Sequence, residues 1–294
     1  MKETWKHEFA KVNGIRMHYV TQGEGKLLFL LHGFPDFWYV WRFQIPELAT
    51  HFRVVAPDLR GYNKTDKPSG VENYRLNLLA GDILGLIDAL GETRAMIVGH
   101  DWGGVVAWSF AAFNPDHTEK LVILNAPHPN AYTSRAKLSL RQLQKSWYVF
   151  FFQTPDVPEK VLSRNDYSFL KNMVKLSFVK KEALADEDLR LCAKTWSQPG
   201  ALTAMMNYYR ANMNPSILFS QKTITFPKIA APTLVIWGEQ DAALSKDLIA
   251  NTNEFVKSSY FIKYLPNCGH WVQLEEPKLV NKYILEFLEE QVAK

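Results

Sequence analysis

Gly99-His100-Asp101-Trp102-Gly103 sets a carboxylate in a glycine-flanked turn between an apolar strand-like run, Ala95 to Val98, and a stretch that reads as a helix. That is the setting of a nucleophile elbow, with Asp where serine enzymes of this geometry carry Ser. Glycines at 99, 103 and 104 let the backbone turn sharply and the helix close on the strand. The helix dipole favours a negative charge at the Asp101 position. An isolated Asp before a helix would be read as an N-cap, but the surrounding motif favours a nucleophile. His32-Gly33-Phe34-Pro35 follows the run Leu27 to Leu31 and fits the second half of an oxyanion hole, the Phe34 N–H joining that of Trp102. Asp241 follows the run Thr233 to Trp237 through Gly238-Glu239-Gln240, and His270 follows a run ending near Leu265 through Pro266-Asn267-Cys268-Gly269. The order is nucleophile, acid, histidine, each in a loop after a strand's C-terminal end, where α/β sites are built. Glu239 competes for the acid role; Asp241 is preferred because a residue further into the loop can reach sideways. Residues 125–129, another place for the acid, hold no carboxylate. His32, His100 and His128 read as structural or pocket-lining.

A carboxylate with an unperturbed pKa of ~3.9 needs no base to become a nucleophile at neutral pH. Its attack on an ester or amide carbonyl would give a labile anhydride, so the suited electrophile is an sp³ carbon bearing a leaving group. Epoxides and alkyl halides meet that description. Displacement leaves an ester on Asp101; water activated by His270, itself oriented by Asp241, then attacks the Asp101 carbonyl while the oxyanion hole holds the tetrahedral state.

The elements that must position these residues read as a parallel α/β sheet. Phe9 to Val12 and Ile15 to Val20 flank Asn13-Gly14, a strong hairpin signal. Leu27 to Leu31, Arg53 to Ala56, Ala95 to Val98, Leu121 to Leu124, Thr233 to Trp237 and Tyr260 to Tyr264 read as buried strands. They alternate with helices: Leu76 to Leu90, Val105 to Phe113, and a last one through Tyr283 and Phe287. From Asn130 to Ile224 the alternation stops and aromatic-rich helical segments take over, so the chain divides into a core of residues 1–129 and 225–294 and an inserted helical cap of residues 130–224.

At 294 residues, 47% hydrophobic and 22% charged, the chain is long enough for a substantial core and is neither disordered nor membrane-spanning in composition. Its net charge of +4 is dispersed, which argues against a nucleic-acid partner. Charges near Met1 leave no room for a secretory apolar run, and Cys192 and Cys268 suit a reducing compartment, so a soluble, cytoplasmic protein is expected. Nothing in the sequence calls for a metal or organic cofactor.

From His32 to the C-terminus the sequence resembles the α/β-hydrolase-fold epoxide hydrolases. The resemblance is carried by His32-Gly-Phe-Pro35, Gly99-His-Asp-Trp-Gly-Gly104, Gly238-Glu-Gln-Asp241, Cys268-Gly-His-Trp271 and two lid segments. It implies an α/β-hydrolase fold with a mostly parallel central sheet, and an enzyme taking a small apolar epoxide and water to a vicinal diol. It also implies two tyrosine proton donors in the lid: Tyr148 within Trp147 to Gln153, and Tyr209 within Asn207 to Arg210, with the adjacent Tyr208 the alternative to Tyr209. Without the resemblance these tyrosines, and Trp147 with Phe150, Phe151 and Phe152, would be read as packing. Haloalkane dehalogenases share the nucleophile, but Phe34 stands where a halide-binding Asn is expected. A silent binding protein on the same fold would keep the motifs without turnover.

Overall fold

The computed structural model of the protein describes residues 5–133, 139–214, 216 and 226–290. The chain opens with β1 (Lys6–Val12) and β2 (Ile15–Gln22), antiparallel and closed by the pair Val12 and Ile15. Asn13 and Gly14 both adopt positive φ, 45° and 79°, which a two-residue type I′ turn requires. Then follow β3 (Leu27–Leu31), β4 (Arg53–Pro57), β5 (Ala95–His100), β6 (Thr118–Leu124), β7 (Thr233–Gly238) and β8 (Tyr260–Leu265). They form one eight-stranded sheet in the order β1-β2-β4-β3-β5-β6-β7-β8, in which β2 pairs antiparallel with β4 and every later pairing is parallel.

The inner strands are largely apolar because helices cover both faces of the sheet. Alternate residues serve opposite faces. Leu27, Phe29, Leu31, Ile97, Leu121 and Ile123 join one core cluster; Leu28, Leu30, Met96, Val98, Val122 and Leu124 join the other. Helix α1 (Leu76–Ala89) packs Leu79, Ile83, Leu86 and Ile87 inward, as its spacing predicts. Helix α2 (Trp102–Phe113) is buried along most of its length. It begins three residues before the expected Val105, so Gly103 and Gly104 lie inside its first turn. Between β6 and β7 the described chain is helical, including α3 (Trp147–Phe151), α4 (Arg164–Ser177), α5 (Asp186–Trp196) and α6 (Ala201–Asn212). The expected downstream edge of this insertion, at residues 224 and 225, lies outside the described residues. Helix α7 (Pro277–Glu289) closes the fold.

The glycines around β5 and α2 permit contacts that no side chain could. A Cβ on Gly103 would lie 2.1 Å from the Leu31 carbonyl oxygen, one on Gly99 would lie 2.4 Å from the Gly103 oxygen, and one on Gly104 would meet the Ala126 Cβ at 2.4 Å. Backbone cannot yield as a flexible side chain can. Gly103→Ala is therefore expected to destabilise the fold by about 1–3 kcal/mol or more, the usual cost of overpacking. Urea denaturation of wild type and variant at equal protein concentration checks this.

Candidate active site

Asp101 is the hinge between β5 and α2. Its backbone adopts φ 50°, ψ −122°, a region costly for any residue with a side chain. That conformation lifts the carboxylate out of the strand and toward the loop after β3. There Oδ1 accepts the Phe34 N–H at 2.8 Å. Gly33 is required beside it, since a Cβ at that position would lie 2.4 Å from Asp101 Cβ. The buried His32 fixes this loop: its Nδ1–H donates to the Gly33 oxygen at 3.0 Å and its Nε2 accepts the Leu59 N–H at 3.0 Å. Trp102 is the first residue of α2, so its N–H is one of the helix-start donors without an intrahelical carbonyl.

His270 faces Asp101 from the loop after β8. Its Nε2 lies 3.5 Å from Asp101 Oδ2, and its Nδ1 donates to Asp241 Oδ2 at 2.7 Å. Asp241, fully buried after β7, is saturated with donors: the N–H groups of Ala243 and Leu244 at 2.7 and 2.9 Å on Oδ1, and Asn125 Nδ2 at 2.7 Å on Oδ2. Glu239 turns elsewhere and pairs with Lys246 at 2.7 Å. The structure thus brings Asp101, His270 and Asp241 together and leaves Glu239 outside.

Burial opposes charge on all three groups, but their mutual attraction prevails. The His270 ring loses solvation, yet the charge of Asp241 and the hydrogen bonds and charge of the two carboxylates raise it to about 10. Asp101 and Asp241 likewise lose solvation and are nevertheless held below the ordinary carboxylate range, mainly by His270. Both acids and the imidazolium are charged at neutral pH. The neighbouring His100 stays neutral, pushed down to about 3 by burial and by the positive His270 ring 4.7 Å away. Its Nε2–H donates to the His270 carbonyl at 2.9 Å. His128 lies apart from the triad, stacked on Phe255 at 4.4 Å.

Two cavities meet at Asp101. The larger has an empty volume of about 630 Å³ and includes Val105, Pro127, Met213 and Leu244 in its wall; the smaller, about 430 Å³, is walled by Leu170, Met173, Val174 and His270 among others. Asp101, Tyr148 and Tyr209 line both. The two tyrosine rings meet edge to face at 5.8 Å, and Tyr209 packs against Trp102 at 5.0 Å and Phe34 at 5.5 Å. Burial, with the nearby Asp101 charge adding, raises both phenols well above their usual range, so both are protonated. Tyr208, a step of about 100° around the helix, points the other way and donates to the Arg60 oxygen at 2.7 Å.

Asn125 is a residue that sequence reasoning missed. It follows β6 with φ 40°, a conformation Asn tolerates better than most residues. It donates to Asp241 while its Oδ1 accepts the Gly238 N–H at 3.0 Å. The signal lay in an amide at the end of a strand adjoining the acid's own. Among the described residues, no group of three or more His, Cys, Asp or Glu is placed to hold a metal ion, and no helix is long and apolar enough to cross a membrane.

The alpha/beta hydrolase fold family matches residues 26–277. The chain is 41% identical to human epoxide hydrolase 4 over 290 residues, covering 97% of this chain and 78% of that protein. It is also 41% identical to the AB hydrolase superfamily protein YfhM of Bacillus subtilis (strain 168), over 97% of this chain and 99% of that one. Among solved structures, a mutant epoxide hydrolase from Bacillus megaterium complexed with its naphthyloxy-propanediol product superposes with a TM-score of 0.88 at 34% identity, covering 96% of this chain and 100% of that chain.

The raised His270 pKa links this site to stability. A ring titrating near 10 in the folded chain, against about 6.5 unfolded, contributes stability in full below pH 6.5 and loses it as pH rises through 10. Tm should therefore fall between pH 7 and 10 more steeply in the wild type than in His270→Gln. Calorimetric scans across that range test the difference, and parallel slopes would contradict the charged resting state.

Proposed function

The chain belongs to the alpha/beta hydrolase fold family and stands with its epoxide hydrolases, and from that membership we propose that it converts apolar epoxides to vicinal diols through an ester on Asp101. The observation that carries this reading is the Asp101 carboxylate lining the same two apolar cavities as two protonated tyrosines. An epoxide between them presents carbon to the carboxylate and oxygen to the phenols. Residues 130–224 act as a cap supplying the tyrosines, and residues 1–129 and 225–294 as the core supplying the triad. The naphthyl group on the product of the Bacillus megaterium enzyme suits the same idea, since the larger cavity here is wide and apolar enough for an aryl substituent.

Asp101 attacks a ring carbon, the C–O bond breaks, and the departing oxygen takes a proton from Tyr209 or Tyr148. Esterification removes the charge on Asp101, one of the causes that raise His270. The imidazolium then gives up its proton, which restores the tyrosine through solvent, and the neutral ring becomes a base. His270 takes a proton from water as the hydroxide attacks the Asp101 carbonyl. The N–H groups of Phe34 and Trp102 hold the oxyanion. On collapse the acid formed at Asp101 passes its proton to the departing alkoxide, which releases the diol and returns a carboxylate beside an imidazolium, as at the start. Asp241 keeps Nδ1 occupied throughout, so that Nε2 alone exchanges the proton.

Turnover of a phenyl-substituted epoxide beside a matched bromoalkane tests this directly. Diol without bromide is expected, falling by about 10³-fold or more in Asp101→Ala. Tyr209→Phe is expected to cost about 10²-fold, in the range of one lost proton donor. Bromide release in place of diol would point instead to displacement of halide by the same nucleophile.

A further inference from the structure

We propose that Glu275 positions His270 by fastening its loop to the helical insertion, so that the seating of the insertion governs ester hydrolysis; this rests on the roles given above to Asp101 and His270. Glu275 is only 5% exposed and has no cationic side chain among its hydrogen-bond partners. Three backbone N–H groups satisfy it. Oε1 accepts from Gly269, the residue before His270, at 2.9 Å; Oε2 accepts from Val179 at 3.0 Å and Lys180 at 2.9 Å, just beyond helix α4 of the insertion. One carboxylate thus bridges two segments separated by about ninety positions in sequence.

The same segment grips the loop twice more. Phe178 stacks on Trp271, the residue after His270, with centroids 4.9 Å apart and planes 6° from parallel. A Cβ on Gly269 would lie 2.4 Å from the Ser177 oxygen, so the two backbones run in direct contact. Residues 177–180 therefore hold both chain neighbours of the histidine. Helix α4, which leads into them, supplies Leu170, Met173 and Val174 to the smaller cavity. Whatever fills that cavity pushes on the helix whose end sets the histidine's place.

The Glu275 side chain touches neither Asp101 nor the cavities, so its part is positional. Its signature follows from the order of steps: His270 is needed for hydrolysis of the ester and not for its formation. Displacement of a reacting group by an ångström can cost about 10²-fold. In Glu275→Gln, one N–H-accepting oxygen is replaced by an amide that can only donate. Val179→Pro deletes a single bond on the insertion side and leaves Gly269 bonded. Phe178 already has φ −81° and ψ 134°, the extended conformation that a following proline demands.

Rapid-quench mass spectrometry with excess phenyl-substituted epoxide reads both half-reactions on the full chain. In each variant ester formation on Asp101 should stay within about threefold of wild type, while hydrolysis slows by about tenfold or more and the ester mass accumulates. Unchanged hydrolysis in both variants overturns the proposal. So does an equal fall in both steps accompanied by a lower Tm, which would make Glu275 a structural brace alone. An absence of ester in wild type and variants alike would overturn the role of Asp101 itself, and the coupling with it.

Discussion

The site depends on how closely the chain is compressed where β5 turns into α2. Gly99 and Gly103 bring the helix so near the ends of β3 and β5 that a single methyl would collide with backbone, and a methyl on Gly104 would collide with the Ala126 Cβ. Under that compression Asp101 cannot relax into an ordinary conformation, and the strain, on the order of 1–3 kcal/mol, is offset by the apolar packing on both faces of the sheet. In return the carboxylate stands clear of the strand with Phe34 N–H aimed at it. Loosening any one of these contacts would let the turn relax and would misplace the Asp101 carboxylate and the Phe34 N–H together, because the same glycines set both.

Charge balance is the second constraint. Two buried carboxylates face one imidazolium, leaving a net negative charge that burial makes costly. Backbone and amide dipoles supply what a second cation would: Phe34 N–H on Asp101, and the N–H groups of Ala243 and Leu244 with the Asn125 amide on Asp241. His100 is excluded as a cation by its burial and by its contact with His270, and serves as a donor to the histidine's own carbonyl. The arrangement holds the histidine charged at rest, and on the proposed mechanism it becomes a base only when Asp101 loses its charge. On the proposed mechanism the covalent state of Asp101, rather than bulk pH, then times the proton transfer.

Much of this was legible in the sequence because it was local. The continuous apolar runs marked the buried strands, the Asn13-Gly14 turn marked the hairpin, and the glycine pattern around Asp101 required a tight strand-to-helix turn. What escaped depends on contacts between distant segments. Asn125 looked like the absence of a carboxylate until the structure set it against Asp241. Nothing in the sequence around Glu275 announces the N–H groups of Val179, Lys180 and Gly269 that the fold brings to it. Tyr208 and Tyr209 are indistinguishable by type; only the orientation of α6 sends one hydroxyl to Arg60 and turns the other ring toward Asp101. Helix starts were also misjudged where glycine is demanded by packing, since in sequence Gly103 and Gly104 read as a turn leading to the helix.

The insertion is more than a cover laid over a finished site. Its first part grips the acid's loop: Gln142 accepts the Ser245 N–H at 2.7 Å and donates to the Ala243 oxygen at 3.0 Å, and Lys145 donates to the carbonyl of Asp241 itself. Its middle part grips the histidine's loop through residues 177–180. The loops after β7 and β8 are therefore clamped between the sheet below and the insertion above. The core carries Asp101 unaided, on β5 and α2. On the roles proposed for Asp101, Asp241 and His270, dividing the supports of the last two between core and insertion makes the geometry of ester hydrolysis depend on the same helices that shape the cavities, which ties substrate fit to the second chemical step.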